Sequence, residues 1–196
     1  IAIYDNPNGV QETDTVSGVE EIWGTNFDDS MSGGASADRF LGLQGFDTLE
    51  GGAGDDVLFG GLDDDVLTGD GGADTFVFLR RADGIVVPPD YDPATDPPIE
   101  AYEDAGTGDG IDIITDFEDN VDTLLFLSNE AFDISEFDFG YVAAPNPDNA
   151  YTWITYKAEP DFFGPSEVRI LGQDLSNGQL LDDIMIDTDA DFVFDF

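Results

Sequence analysis

Residues 24–77 are six consecutive nonapeptides with no residue between them: GTNFDDSMS, GGASADRFL, GLQGFDTLE, GGAGDDVLF, GGLDDDVLT and GDGGADTFV. Position one is always glycine, position six always aspartate, and position eight always a large apolar residue: Met31, Phe40, Leu49, Leu58, Leu67 and Phe76. The first six positions are rich in Gly, Asn, Asp and Ser, which tolerate sharp turns and positive φ. The last three read x-apolar-x, the shortest strand that sends one side chain inward and two outward. Each unit is therefore a loop followed by a short strand. Two units make one turn of a flattened coil, so copies of like parity stack and their strands form two parallel sheets with position eight between them. An Asp/Gly-rich linker of solvated turns is the alternative, and the unbroken phase of position eight argues against it.

The stacking sets carboxylate against carboxylate. Odd loops pair Asp29 with Asp47 and Asp47 with Asp65; even loops pair Asp38 with Asp56 and Asp56 with Asp74. Like charges so placed repel strongly unless a cation intervenes. The chain has no Cys and no His, which excludes the usual zinc, copper and iron sites and leaves a hard cation with oxygen ligands. Calcium accepts six to eight oxygens in flexible geometry, whereas magnesium demands a tight octahedron. Calcium is thus the expected cofactor, with about four ions in the array. Asp47 and Asp56 would each be shared by two ions, and Asp74 would end the even column. Backbone carbonyls at positions one and three are expected to complete the shells: Gly33, Ala35, Gly42, Gln44, Gly51, Ala53, Gly60, Leu62, Gly69 and Gly71.

The repeats resemble the RTX, or hemolysin-type calcium-binding, family of bacterial proteins exported by type I secretion. The best matches are residues 51–59 and 60–68. Phe27, Ser36 and Asp63 depart from the glycine expected at position four, and Asp tolerates the left-handed region better than Phe does. The resemblance implies an all-β fold: a parallel β-roll, a calcium-binding nonapeptide solenoid, capped by a C-terminal β-rich segment. It also implies calcium between successive loops on each edge of the roll. Residues 110–126 (GIDIITDFEDNVDTLLF) resemble the segment that closes such rolls in secreted metalloproteases and alginate epimerase modules. On that resemblance Asp116 and Asp122 are candidates for further ligands, and Asn120 stands where relatives often have Gly.

Four regions follow. Residues 1–23 are lead-in strands, with Val19, Ile22 and Trp23 capping the open end of the roll, and Ile1 reads as a processing boundary. Residues 24–79 are the roll. Residues 80–108, rich in Pro and Asp, are an insertion loop. Residues 109–196 are a roll-closing and C-terminal β-rich cap. In it residues 151–156 (YTWITY) and 167–171 (EVRIL) alternate as antiparallel strands do, with a turn around residues 160–165 between them. The apolar column Leu41, Phe59 and Val77 on the outer face of one sheet requires a cover, expected from residues 130–196. The final residues, DFVFDF, resemble the family's C-terminal export signal, in keeping with the absence of an N-terminal one.

Lys and Arg number 5 against 45 Asp and Glu, a formal charge of −40. Such a polyanion does not bind nucleic acid or anionic lipid. With 41% hydrophobic residues, 16 of them Phe, it carries too much apolar material for a disordered chain. No apolar run is long enough to span a membrane. The leading functional reading is a calcium-binding RTX β-roll module of a secreted, extracellular or cell-surface protein. It is structural rather than catalytic, and it folds on calcium after passing the type I secretion apparatus. An adhesive or assembly module of a surface layer or large adhesin, with self-assembly or a surface partner, is one alternative; the non-catalytic tail of a secreted hydrolase or epimerase is another. Without His no Ser-His-Asp triad, Cys-His pair or His-ligated zinc is available.

Overall fold

One buried side chain per nonapeptide builds a core only if successive coils stack in register, and they do. The computed structural model describes residues 21–80, 110–128, 134–144, 149–156, 167–176 and 178–187. The lead-in before residue 21, nearly all of the 80–108 insertion, the turn at 160–165 and the signal-like C-terminus lie outside the described residues. In the array the strands are β1 (Ile22–Trp23), β2 (Ser30–Ser32), β3 (Arg39–Gln44), β4 (Thr48–Ala53), β5 (Val57–Leu62), β6 (Val66–Gly71) and β7 (Thr75–Arg80). Odd and even copies alternate between two sheets, and within each sheet neighbours are parallel. Met31 lies opposite Leu49 and Leu49 opposite Leu67. In the other sheet Ile22, Phe40, Leu58 and Phe76 form the matching column. The six position-eight residues of the array are at most 3% exposed.

Both columns continue past the insertion. β8 (Ile111–Ile114) adds to the odd sheet with Ile114 opposite Leu67, and β9 (Thr123–Ser128) adds to the even sheet with Leu124 opposite Phe76. β13 (Ile184–Asp187) then closes the even sheet in parallel with β9, Ile184 opposite Leu124. The odd sheet gains β12 (Glu167–Leu171) parallel to β8, then β11 (Tyr151–Tyr156) and β10 (Phe137–Val142), both antiparallel. The sheets thus hold six strands in the order β1-β3-β5-β7-β9-β13 and seven in the order β10-β11-β12-β8-β6-β4-β2. No α-helix occurs among the described residues, and no helix is long and apolar enough to cross a membrane.

Larger side chains fill the core at the C-terminal end, where the regular units stop. Phe126 meets Phe78 with ring centroids 5.3 Å apart and Phe137 edge-on at 4.7 Å, while Phe76 and Phe117 are 6.2 Å apart. Buried Thr152 donates its hydroxyl to the Gln173 carbonyl and accepts from the Leu175 N–H, so no polar group is stranded there.

The cover expected over the outer apolar column falls in part on residues outside the described ones. Leu41, Phe59 and Val77 are buried and extended by Leu125 and Leu127, with Trp23, Leu43 and Val57 against them. From residues 130–196, Phe137, Ile154, Val168, Ile170, Leu175 and Leu180 join the main core. The reason is topological. β10 to β13 lengthen the two sheets edge to edge, which places these residues at the end of the roll.

Leu58 is fully buried at the middle of its column, whereas Glu50 is exposed at position nine. In the calcium-loaded protein Leu58→Ala is expected to cost ~2–5 kcal/mol and Glu50→Ala less than about 0.5 kcal/mol, read by chemical denaturation.

Candidate metal centre

The position-six aspartates form two ladders along the edges of the roll. In each rung the N–H of one aspartate donates to Oδ1 of the next in the same sheet. On the odd edge Asp29 reaches Asp47 at 2.8 Å, Asp47 reaches Asp65 at 2.8 Å, and Asp65 reaches Asp112 at 3.1 Å. On the even edge Asp38 reaches Asp56 at 2.7 Å, Asp56 reaches Asp74 at 2.9 Å, and Asp74 reaches Asp122 at 2.9 Å. Asp38, Asp47, Asp56, Asp65, Asp74, Asp112 and Asp122 are all buried. Asp74 is therefore an interior rung, because Asp122 follows it. Asp112 was not among the residues expected to bind metal. Its signal was its place two residues before Ile114, which matches the spacing of the repeats.

Each second oxygen, Oδ2, turns back over the position-one glycine of its own copy. A Cβ on Gly33, Gly42, Gly51, Gly60 or Gly69 would collide with Oδ2 of Asp38, Asp47, Asp56, Asp65 or Asp74 respectively. At Gly33 and Gly42 the same Cβ would also strike the carbonyl oxygen of the following coil's glycine, Gly51 and Gly60. Carboxylate and position-one carbonyl thus converge on the space that the missing side chain leaves open.

What happens to Oδ2 depends on position two. Leu43, Gly52, Gly61 and Asp70, the position-two residues of copies three to six, have φ of 88°, 101°, 118° and 66°. Thr25 and Gly34, in copies one and two, are not among the positive-φ residues. In those two copies the position-two N–H points inward and satisfies the aspartate: Thr25 donates to Asp29 Oδ2 at 2.7 Å, and Gly34 to Asp38 Oδ2 at 3.0 Å. Phe27 and Ser36, in place of a position-four glycine, mark these same copies; Gly45, Gly54 and Asp63 at that position have φ of 116°, 135° and 77°. In the middle of the array Oδ2 of Asp47 and Oδ2 of Asp56 are buried with no hydrogen-bond partner. A buried carboxylate oxygen with no donor is costly, and a hard cation is what it fits. Asp122 closes its loop as the first copies do, accepting from the Glu118 N–H at 2.8 Å.

Position three is held in backbone pairing. At position three, Gln44 lies opposite Leu62 and Ala53 opposite Gly71. The N–H groups of Gln44 and Ala53 donate to the Thr25 and Gly34 carbonyls, and the Gly71 carbonyl accepts from Gly54. Ala35 is exposed in its loop. Asp116 stands outside both ladders, accepting from the N–H groups of Gly69 at 3.0 Å and Asp70 at 2.7 Å. Among the described residues no three acidic, His or Cys side chains converge on one point, so carbonyl oxygens must share in any site.

Burial is the main force on these carboxyls. It pushes Asp47 up to about 8, against the hydrogen bond from Asp29 and with the charges of Asp29, Asp28 and Asp63 adding to the rise. Asp74 rises to about 6 for the same leading reason, with Asp122, Asp56 and Asp116 contributing. Asp56 and Asp122 are also raised by burial.

Residues 14–49 and 41–76 match the family model of the RTX calcium-binding nonapeptide repeat. The solution structure of the AlgE6R3 subunit from the Azotobacter vinelandii mannuronan C5-epimerase is similar over 83% of this chain and 80% of that one, at 25% identity and a TM-score of 0.53. The crystal structure of the extracellular lipase LipA from Serratia marcescens matches at 14% identity and a TM-score of 0.33, over 94% of this chain and 44% of the lipase. No curated protein sequence matches. The array is an RTX β-roll, and calcium is the cation of its repeats.

Two outcomes are expected. Asp56→Ala and Asp74→Ala each remove a rung and should each cost about 1.5–3 kcal/mol in saturating calcium. Asp38→Ala, which among the described contacts removes a bond within its own loop, should cost less; calcium-loaded denaturation curves read the order. Without calcium, a carboxyl raised in the fold holds a proton that the unfolded chain releases, so stability falls as pH rises between the two values. The window runs from 3.8 to about 6 for Asp74 and to about 8 for Asp47. Chelated protein should hence gain strand signal from pH 8 to pH 5.

Proposed function

We propose that this chain is a calcium-folded, non-catalytic β-roll module of a secreted protein. The observation that carries the reading is the pair of buried, partnerless oxygens on Asp47 and Asp56, in a chain with a formal charge of −40. Asp29, Asp38, Asp47, Asp56, Asp65 and Asp74 would hold the ions from their side chains, continued by Asp112 and Asp122. The position-one carbonyls of Gly42, Gly51 and Gly60 would complete the sites. When bound, calcium supplies the positive charge that lets the two acidic edges stack. Binding energy at sites that do not exist in the unfolded chain is folding energy.

A non-catalytic role follows from what the acids already do. The phased aspartates are tied into rungs by backbone N–H groups, and the chain has no His or Cys to act as base or nucleophile. The coupling to calcium suits export through a type I apparatus. In the cytosol free calcium lies far below the ~10⁻⁴–10⁻³ M affinities of extracellular modules, so the chain would pass as an open polymer and fold outside. Likeness to an epimerase subunit favours one narrower reading, in which the module is the tail of a secreted carbohydrate-modifying enzyme.

Circular dichroism during a calcium titration tests the coupling. Strand signal should appear cooperatively near millimolar calcium, vanish with chelator, and stay absent with equal magnesium. Full strand content in chelator at neutral pH would contradict the mechanism.

A further inference from the structure

Beyond the repeats, a second pair of buried carboxylates lies where β13 is pinned to β9. Asp183 follows the 3-10 turn Gln179–Asp182 and directly precedes β13. It is 7% exposed. Its N–H donates to the Leu180 carbonyl, and its carbonyl accepts from the Leu124 N–H at 2.9 Å. Its Oδ1 accepts from the N–H of Asn120 at 3.1 Å, in a turn where Asn120 has φ of 62°. Its Oδ2 is buried and receives no N–H donor.

Asp119 faces it. Its carboxyl lies within hydrogen-bonding reach of that of Asp183. The Asp119 Oδ2 accepts from Gln179 Nε2 at 3.3 Å, and its Oδ1 is buried without a partner. Neither arginine among the described side chains supplies the missing charge, for Arg39 is engaged by Glu21 and Arg169 by Glu167. Nor is Asp183 another rung of the ladder. Ile184 pairs with Leu124 at the apolar position, so Asp183 stands one residue later than a ladder aspartate would. It takes the Asn120 N–H, whereas the Asp122 N–H goes to the Glu118 carbonyl.

We propose that Asp119 Oδ1 and Asp183 Oδ2 form a separate binding site for a divalent, oxygen-seeking cation that staples β13 to the end of the roll. Two adjacent carboxylates, each with a buried oxygen that no N–H reaches, are a hard-cation donor set. Calcium suits it better than magnesium, since two carboxylates leave its flexible shell room for carbonyl and water oxygens. The site goes beyond the repeat array: none of its residues belongs to a nonapeptide. Its occupancy would make the last strand of the even sheet depend on calcium independently of the loops.

Calcium stoichiometry of the full chain, measured by equilibrium dialysis at saturation, tests the site. Asp183→Asn and Asp119→Asn should each bind one ion fewer than the unsubstituted protein, and the double variant should also bind one fewer. Hydrogen exchange at residues 184–187 should quicken at least ten-fold in both variants while residues 57–62 stay unchanged. Should Asp183→Asn fail to fold, Asp119→Asn decides, because the Asn120 hydrogen bond to Asp183 stays intact in it. An unchanged ion count in the variants overturns the site and assigns the pair to a shared proton. Unsubstituted protein that binds no calcium would instead overturn the reading of the array.

Discussion

Everything in this fold depends on the two-sided use of one carboxylate. Oδ1 of Asp47, Asp56, Asp65 and Asp74 takes the N–H of the aspartate one coil back, which locks register along the edge. That bond also draws the carboxylate into the loop, where Oδ2 of Asp47 and of Asp56 is buried over a glycine without a hydrogen-bond donor. The rung that aligns the coils therefore creates the electrostatic problem that a cation resolves. A chain at −40 with few basic residues has no internal remedy. Position eight supplies the apolar wall, and the wall forms only if the edges can approach.

How far the array was legible follows from its phase. Position eight fixes the parity of the sheets, and parity fixes which aspartates meet; both are visible as the spacing of Leu49, Leu58 and Leu67. Residues 151–156 and 167–171 were readable as antiparallel strands because their alternation needs only neighbours in sequence. The insertion hid the rest. It stretches the rung separation from 18 residues to 47 for Asp65 with Asp112 and to 48 for Asp74 with Asp122, so a fixed-period reading stops at Asp74.

Two further features lay beyond pattern. Backbone conformation at position two decides whether a loop satisfies its own aspartate, and Leu43 carries positive φ there although its side chain gives no hint of it. Thr25 and Gly34 close their loops instead, and Gly34 does so despite being the residue freest to turn the other way. Asp183 is invisible for a different reason. It is one residue out of the aspartate phase and gains its role only through Asn120 and Asp119 across more than sixty residues. Similarly, β10 to β13 extend existing sheets, a topology that depends on which edges remain open after the array ends.

The most direct measurement of the central claim is anomalous diffraction from crystals of the calcium-loaded protein. Peaks are expected along both edges of the roll, the firmest of them beside Oδ2 of Asp47 and Oδ2 of Asp56, with the carbonyls of Gly42, Gly51 and Gly60 turned toward them. Edges without such peaks, with those oxygens hydrogen-bonded to water in an otherwise unchanged roll, would contradict it.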